Sequence, residues 1–249
     1  MTRKTLSVLG SPIDCIDSAA AVAQISAWAA SRESRYVCIC NAHSIVTARE
    51  DPAFREALAQ ADMSTPDGWP VAWMLRRLGA TTQRRLSGPD LMLDYCASAA
   101  ATGESIFLYG STQTTLDALE NRLKRHWPGL VIAGRYAPPF RPLTPQEDES
   151  AIAEINRSGA GTVWVSLGCP KQELWMASHR DRIHAVMIGV GAAFDFHAGT
   201  TKRAPQWMRD HALEWLHRLM SEPRRLWKRY LVTNTLFVVG AAKQLSSRE

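Results

Sequence analysis

Ser105-Ile106-Phe107-Leu108-Tyr109-Gly110-Ser111-Thr112, followed by a stretch of helical character over 115–126, is the segment whose reading decides the fold. A short apolar run, a glycine turn and a helix-length stretch make a strand–turn–helix unit, and the unit recurs. Residues 130–133 read as a strand, with a helix over 145–157 opened by Thr144. Residues 162–167 read as a strand that turns at Gly168-Cys169-Pro170 into a helix over 171–180, and 185–190 as a strand ending in Gly191. Strands alternating with helices of this length predict βαβ units and a parallel sheet. Toward the N-terminus, 5–9 reads as a first strand, turning at Gly10-Ser11-Pro12. Asp17-Ser18 caps an Ala-rich helix to about residue 30, 35–40 is a buried-looking strand, and Asp51-Pro52 interrupts the helical stretch that follows. The expectation is an α/β fold: a Rossmann-like, mostly parallel sheet with helices on both faces, over residues 1–199. Residues 200–249 are expected to form a C-terminal helical appendage.

Sheets of this kind bind ligands outside the carboxyl ends of their strands. The informative turns are therefore those at Asn41, Asp67, Gly110, Gly168 and 191–195. Ser64-Thr65-Pro66-Asp67-Gly68-Trp69-Pro70 leads into a helix-like run over 71–78. A carboxylate there stands at the mouth of the fold, and the competing reading is that Asp67 only caps the helix behind it. Gly168-Cys169-Pro170-Lys171-Gln172-Glu173 opens a helix whose free N–H groups and dipole favour an anion; it also reads as a plain strand-to-helix turn. Glu173 suits that dipole, and His43 and His197 read as structural residues.

Bulk properties exclude several classes. The 249 residues can bury a full core. No apolar run reaches bilayer-spanning length. The basic lead Met1-Thr2-Arg3-Lys4 is followed by Gly10, Pro12 and Asp14 rather than an apolar region, so the chain is expected to be cytoplasmic and unprocessed. The five cysteines (15, 38, 40, 96 and 169) lack zinc-type spacing. Cys38 and Cys40 share one face of a strand and read as buried structural thiols. Gly189-Val190-Gly191 is no dinucleotide fingerprint, because Phe194 stands where the third glycine belongs. There is no Walker loop, no Gly-x-Ser-x-Gly elbow and no Asp-x-Asp.

The net charge of +5 is concentrated in the last fifth of the chain, where residues 201–249 hold ten Lys or Arg against four Asp or Glu. Pro205 and Pro223 each open helical sequence there. Trp207, Met208, Ala212, Trp215, Leu216 and Leu219 recur at helical spacing, and Leu226, Trp227, Tyr230 and Leu231 are expected on one face of the second helix. Arg218, Arg225 and Arg229 stand at i, i+7 and i+11, on one side if the helix axis continues. Such a segment reads as a solvated face, as core, or as a surface for anionic lipid.

The motifs named so far are joined by Arg85-Leu86-Ser87-Gly88-Pro89-Asp90-Leu91, Gly199-x-x-x-Arg203-Ala204-Pro205, Leu213-Glu214-Trp215 and Glu222-Pro223-x-Arg225-Leu226-x-x-Arg229-Tyr230. In this order and spacing, from about Leu9 to Tyr230, the chain resembles the WecG/TagA/CpsF family of bacterial glycosyltransferases (glycosyltransferase family 26). The resemblance implies metal-independent transfer of a sugar, with inversion, from a UDP-sugar to a polyprenyl-diphosphate-linked saccharide acceptor. It implies work at the anionic inner face of the plasma membrane, in surface or exopolysaccharide biosynthesis, with no cofactor. Asp67 matches the family's catalytic base. Arg85, Gln172 and Asp195 match the nucleotide-sugar pocket, and Asn41 the first site turn. Arg218, Arg225 and Arg229 match tail residues that reach the diphosphate. Gly68, Gly110, Gly168 and Lys171, at the open turns, complete the substrate-binding candidates. The family often carries Thr where this chain has Ile39, so a hydroxyl is missing there. The transferred sugar, the acceptor's identity and the linkage are not readable, and a homo-oligomer is left open. The rival reading is a non-catalytic nucleotide-sensing module whose basic tail binds nucleic acid; Trp and Leu along the tail fit lipid better than phosphate alone.

Overall fold

The computed structural model describes residues 3–247, without the side chain of Arg225; the Met1-Thr2 lead and the role expected of Arg225 lie outside what it describes. The chain opens with a hairpin, β1 (Thr5–Val8) and β2 (Ser11–Asp14), paired antiparallel. The turn expected at Gly10-Ser11-Pro12 lies one residue earlier. It is Leu9-Gly10, both at positive φ (52° and 92°), the conformation that fits a two-residue hairpin to the twist of its strands. Pro12 is accommodated because the hairpin stands apart from the main sheet.

That sheet has six parallel strands: β3 (Arg35–Cys40), β4 (Met63–Pro66), β5 (Ser105–Gly110), β6 (Val131–Tyr136), β7 (Thr162–Ser166) and β8 (Val186–Gly189), in the order β4-β3-β8-β7-β5-β6. Strands covered on both faces need continuous apolar sequence, as Tyr36-Val37-Cys38-Ile39-Cys40 and Ile106-Phe107-Leu108-Tyr109 supply. One face packs α1 (Ser18–Ala30), α5 (Gly88–Thr102), α6 (Gln113–His126) and α9 (Ala193–Ala198) over Ile106, Leu108, Trp164 and Ile188. The other packs α2 (Ala42–Glu50), α3 (Pro52–Ala59), α7 (Pro145–Ser158) and α8 (Lys171–Ser178) over Tyr36, Tyr109, Val163 and Met187. The two-faced Rossmann-like arrangement expected from the sequence is therefore present. Cys38 and Cys40 lie buried on the same face, and burial pushes both thiols well above the usual range.

β4 is an edge strand, and its sequence Met-Ser-Thr-Pro carries no apolar signature. The hairpin covers it: Asp14 accepts from the Ser64 N–H at 2.6 Å and is held by Arg3. A sheet edge that would otherwise expose backbone donors is thus closed. α4 (Gly68–Arg77) follows β4 directly.

Beyond Gly199 come α10 (Gln206–Asp210), α11 (Glu214–Ser221) and α12 (Pro223–Ser246). α12 lies along α2 and is anchored at its far end, where Gln244 accepts from the Leu9 N–H at 2.8 Å and donates to the Ser7 carbonyl at 2.7 Å. Its buried stripe is Leu226, Thr233, Phe237 and Ala241, not the expected Leu226-Trp227-Tyr230-Leu231 set. Trp227 is 55% exposed and Leu231 63%. The helix is apolar on two stripes, one packed on α2 and one left outside. Among the described residues no helix is long and apolar enough to cross a membrane.

Candidate active site

Asn41 and Asp67 sit at the carboxyl ends of adjacent strands, and the Asp67 N–H donates to the Cys40 carbonyl at 2.9 Å. Asn41 is the N-cap of α2: its Oδ1 accepts from the His43 and Ser44 N–H groups at 3.0 and 3.2 Å. Asp67 occupies the corresponding position of α4, yet its carboxylate makes no capping hydrogen bond. The capping reading of Asp67 therefore fails in the geometry. The carboxylate meets Asn41, which hydrogen-bonds to it, and the charges of Arg85 and Arg218. Burial pushes its pKa up to about 6 and the negative charge of Glu214 adds to the rise, while Arg85, Arg218 and Asn41 pull it back. Gly68, at φ +78°, lets the chain turn directly from this acid into α4.

Arg85 comes from the loop after α4 and places Nη1 2.8 Å from Glu214 Oε2. Arg203 reaches the other oxygen of Glu214 with Nε at 3.3 Å, and grips Asp90 with Nη1 and Nη2 at 2.6 and 2.9 Å. Against the effect of burial, the Arg203 and Ser87 hydrogen bonds, with the charges of Arg203 and Arg85, hold the Asp90 carboxyl down at about 2. Arg209 adds a longer contact to Asp90 at 3.5 Å. Glu214 opens α11, and Arg218 follows it one turn later with its guanidinium carbon 5.7 Å from the centre of the Phe196 ring.

The second cluster lies at the end of β8. Gln172, buried at the start of α8, accepts from the Gly191 N–H at 3.0 Å and donates to Glu173 Oε1 at 2.9 Å. Ser166 holds the Gly191 carbonyl at 2.8 Å. Gln172 thus ties α8 to the loop that leads to Asp195, whose carboxylate accepts from Thr200 Oγ1 at 3.3 Å. Gly168 (φ +78°) begins this turn, and Lys171 is exposed at the first position of α8. Glu173 is buried and its carboxyl is raised to about 7 by that burial.

Arg229, on α12, faces the same end of the sheet. Its Nε is buried and has no hydrogen-bond partner, and its charge helps burial lower His43 to about 4. Pro223 ends one helix and begins another, so the axis from Arg218 to Arg229 does not continue as the spacing required. Tertiary packing nevertheless brings Arg218 toward Asp67 and Arg229 toward His43.

The structure thus gathers Asn41, Asp67, Arg85 and Arg218, with Gln172 on α8 holding the loop beyond β8 and Asp195 in α9 after it. Gly110 lies four strand positions from Asp67, about 19 Å away at sheet spacing. There it permits a close backbone approach, since a Cβ would stand 2.4 Å from the Ser166 carbonyl oxygen. Ile39 is buried, and the register sets Thr65 beside it on β4, with a buried hydroxyl that has no partner. Sequence reasoning gave no role to Glu214. Its only local signal was an acid in the first turn of a helix, and its partners Arg85 and Arg203 are set by the fold. Among the described residues no three His, Cys, Asp or Glu side chains group so as to hold a metal ion.

A Rossmann-like sheet thus carries, at the carboxyl ends of its strands, a carboxylate that caps no helix with guanidinium groups around it, the place where sheets of this kind bind ligands. The family model of the glycosyl transferase WecG/TagA/CpsF family matches residues 6–249, nearly the whole chain, and the chain belongs to that family. It is accordingly a glycosyltransferase-like protein, acting on a sugar donor and an acceptor.

Proposed function

We propose that the protein is an inverting glycosyltransferase that moves a sugar from a UDP-sugar to a polyprenyl-diphosphate-linked saccharide. The observation that carries this reading is Asp67: an acid at a helix N-cap position that does not cap, raised toward neutrality and faced by Arg85 and Arg218. Asp67 takes the proton of the acceptor hydroxyl while that oxygen bonds to the anomeric carbon and the bond from that carbon to UDP breaks. UDP departs with added negative charge. Arg85, with Gln172, Asp195 and Lys171 shaping the donor pocket, and Gly68, Gly110 and Gly168 leaving its turns open, are assigned to the donor side. Guanidinium forks suit diphosphate oxygens, and on this reading they serve without a metal.

Residues 1–199 supply the catalytic α/β domain. Residues 200–249 supply a basic arm whose Arg218, Arg225 and Arg229 engage the acceptor diphosphate. The outer stripe of α12, with Trp227, Leu231 and Val238 exposed beside the cations Arg224 and Lys228, is assigned to the anionic inner face of the plasma membrane. Peripheral attachment there, and work in exopolysaccharide assembly, follow from such an acceptor.

Two binding measurements test this reading. UDP is expected to raise the unfolding temperature, as any ligand selective for the folded state does. The protein is expected to float with vesicles containing anionic lipid and not with neutral ones. Steeply salt-dependent binding to arbitrary DNA with no response to UDP would overturn the reading in favour of a nucleic-acid-binding module.

A further inference from the structure

The carboxylate of Glu214 bears on Asp67 and lies among the arginines around it. Its two oxygens are divided between Arg85, from the core loop, at 2.8 Å and Arg203, from the segment after α9, at 3.3 Å. All three side chains are at most a quarter exposed, so the pairs are screened far less than surface ion pairs. Glu214 also sits one helical turn before Arg218, so whatever fixes Glu214 fixes the face of α11 that carries Arg218. A residue kept only to attach the tail would need no place among the arginines nearest the acid.

We propose that Glu214 is a positioning residue for the transfer reaction: it orients Arg85 toward the donor side and, by clamping the start of α11, carries Arg218 to Asp67. The proposal deepens the glycosyl-transfer reading and rests on it. Glu214 touches no reacting atom in this scheme and acts through the arginines. The groups bearing on Asp67 are Asn41 at the start of α2, Arg85 from the core loop, and Glu214 and Arg218 from α11. Those bearing on Glu214 are Arg85 and Arg203, and Asp90 is tied to it through Arg203.

Glu214→Gln removes a like charge from beside Asp67 and frees Arg85 and Arg203 of their counter-charge. Those changes lower the Asp67 titration, whereas losing the hold on Arg218 raises it, so the readout compares Arg218→Ala made alone with Arg218→Ala made in Glu214→Gln. The test follows Asp67 through its side-chain carboxyl signal in the NMR spectrum of the substrate-free protein. Arg218→Ala is expected to raise the Asp67 titration by about half a unit in the wild-type background and to leave it unmoved in Glu214→Gln, where the arginine is no longer held beside the carboxylate. In Glu214→Asp, which keeps the charge, Arg218→Ala is expected to raise it as in the wild type. Turnover of the glutamine variant, read as kcat/KM, is expected to fall about tenfold to a hundredfold, the loss of one charge-assisted hydrogen bond, with the aspartate variant recovering most of it.

An equal rise on Arg218→Ala in the wild-type and Glu214→Gln backgrounds would overturn the proposal, even with lost activity, because Arg218 would then be held beside Asp67 without Glu214. Failure of the aspartate variant to restore either readout would overturn it too. The titration needs no sugar or acceptor, so its failure is separable from failure of the glycosyl-transfer reading.

Discussion

Asp67→Asn is expected to lower UDP release in the presence of a short-chain lipid diphosphate acceptor by about a hundredfold to ten-thousandfold, the range for loss of a general base. The same variant is expected to be more stable than the wild type at pH 7. The Asp67 carboxyl is raised to about 6 in the folded protein from an ordinary value of 3.8. Its ionised form is therefore disfavoured by folding, and above pH 6 that cost is fully present. As pH falls toward 4 the folded protein binds the proton first, and the cost fades. Asparagine carries no charge to desolvate, so the variant is expected to gain about 1–2 kcal/mol at neutral pH, and the gain should shrink in acid. Denaturant unfolding at two pH values checks this. A group kept for catalysis and not for stability gives this opposition of activity and stability.

Removing the tail cations is expected to have the next largest effect. Arg218→Ala together with Arg229→Ala should cut turnover with the lipid-linked acceptor at least about a hundredfold, two charge-assisted contacts being lost at once. The response of the unfolding temperature to UDP should persist, because Arg85 and the Gln172–Gly191 link belong to the core. Arg229 has a specific reason to matter: its Nε is buried with no partner, a cost that a bound phosphate oxygen would offset. Acceptor turnover compared with UDP thermal shift, in the same double variant, separates the two halves of the prediction. A variant that loses the UDP response but keeps acceptor turnover would reverse the assignment of arm and core.

The parallel sheet was legible because its strands are covered on both faces. Sequences such as Ser-Ile-Phe-Leu-Tyr-Gly admit little else between glycine turns and helices. β2 was not legible as a strand, and β4 only as the strand end before Asp67. One contains Pro12 and the other reads Met-Ser-Thr-Pro; their partners are β1 and β3, and the two pack on each other. α12 was legible as a helix but not in its orientation. Apolar residues on two stripes cannot say which stripe meets α2, and packing of Phe237 and Ala241 decided it. At the site, Asn41 and Asp67 could be found as polar residues at strand ends. That Asp67 leaves its helix uncapped could not, because a sequence shows a capping residue type and not where its carboxylate points. Glu214 lay further out of reach: it meets Arg85 across 129 positions of chain, and only the docked tail makes them neighbours.

The most direct measurement is the pH dependence of kcat/KM for the wild-type protein with a UDP-sugar and a short-chain lipid diphosphate acceptor. If Asp67 must be ionised to accept the hydroxyl proton, the rate rises with pH through a single ionisation near 6 and levels off above it. A profile that is flat between about pH 5 and pH 8, or one whose acid limb survives unchanged in Asp67→Asn, would contradict the assignment of that carboxylate as the base.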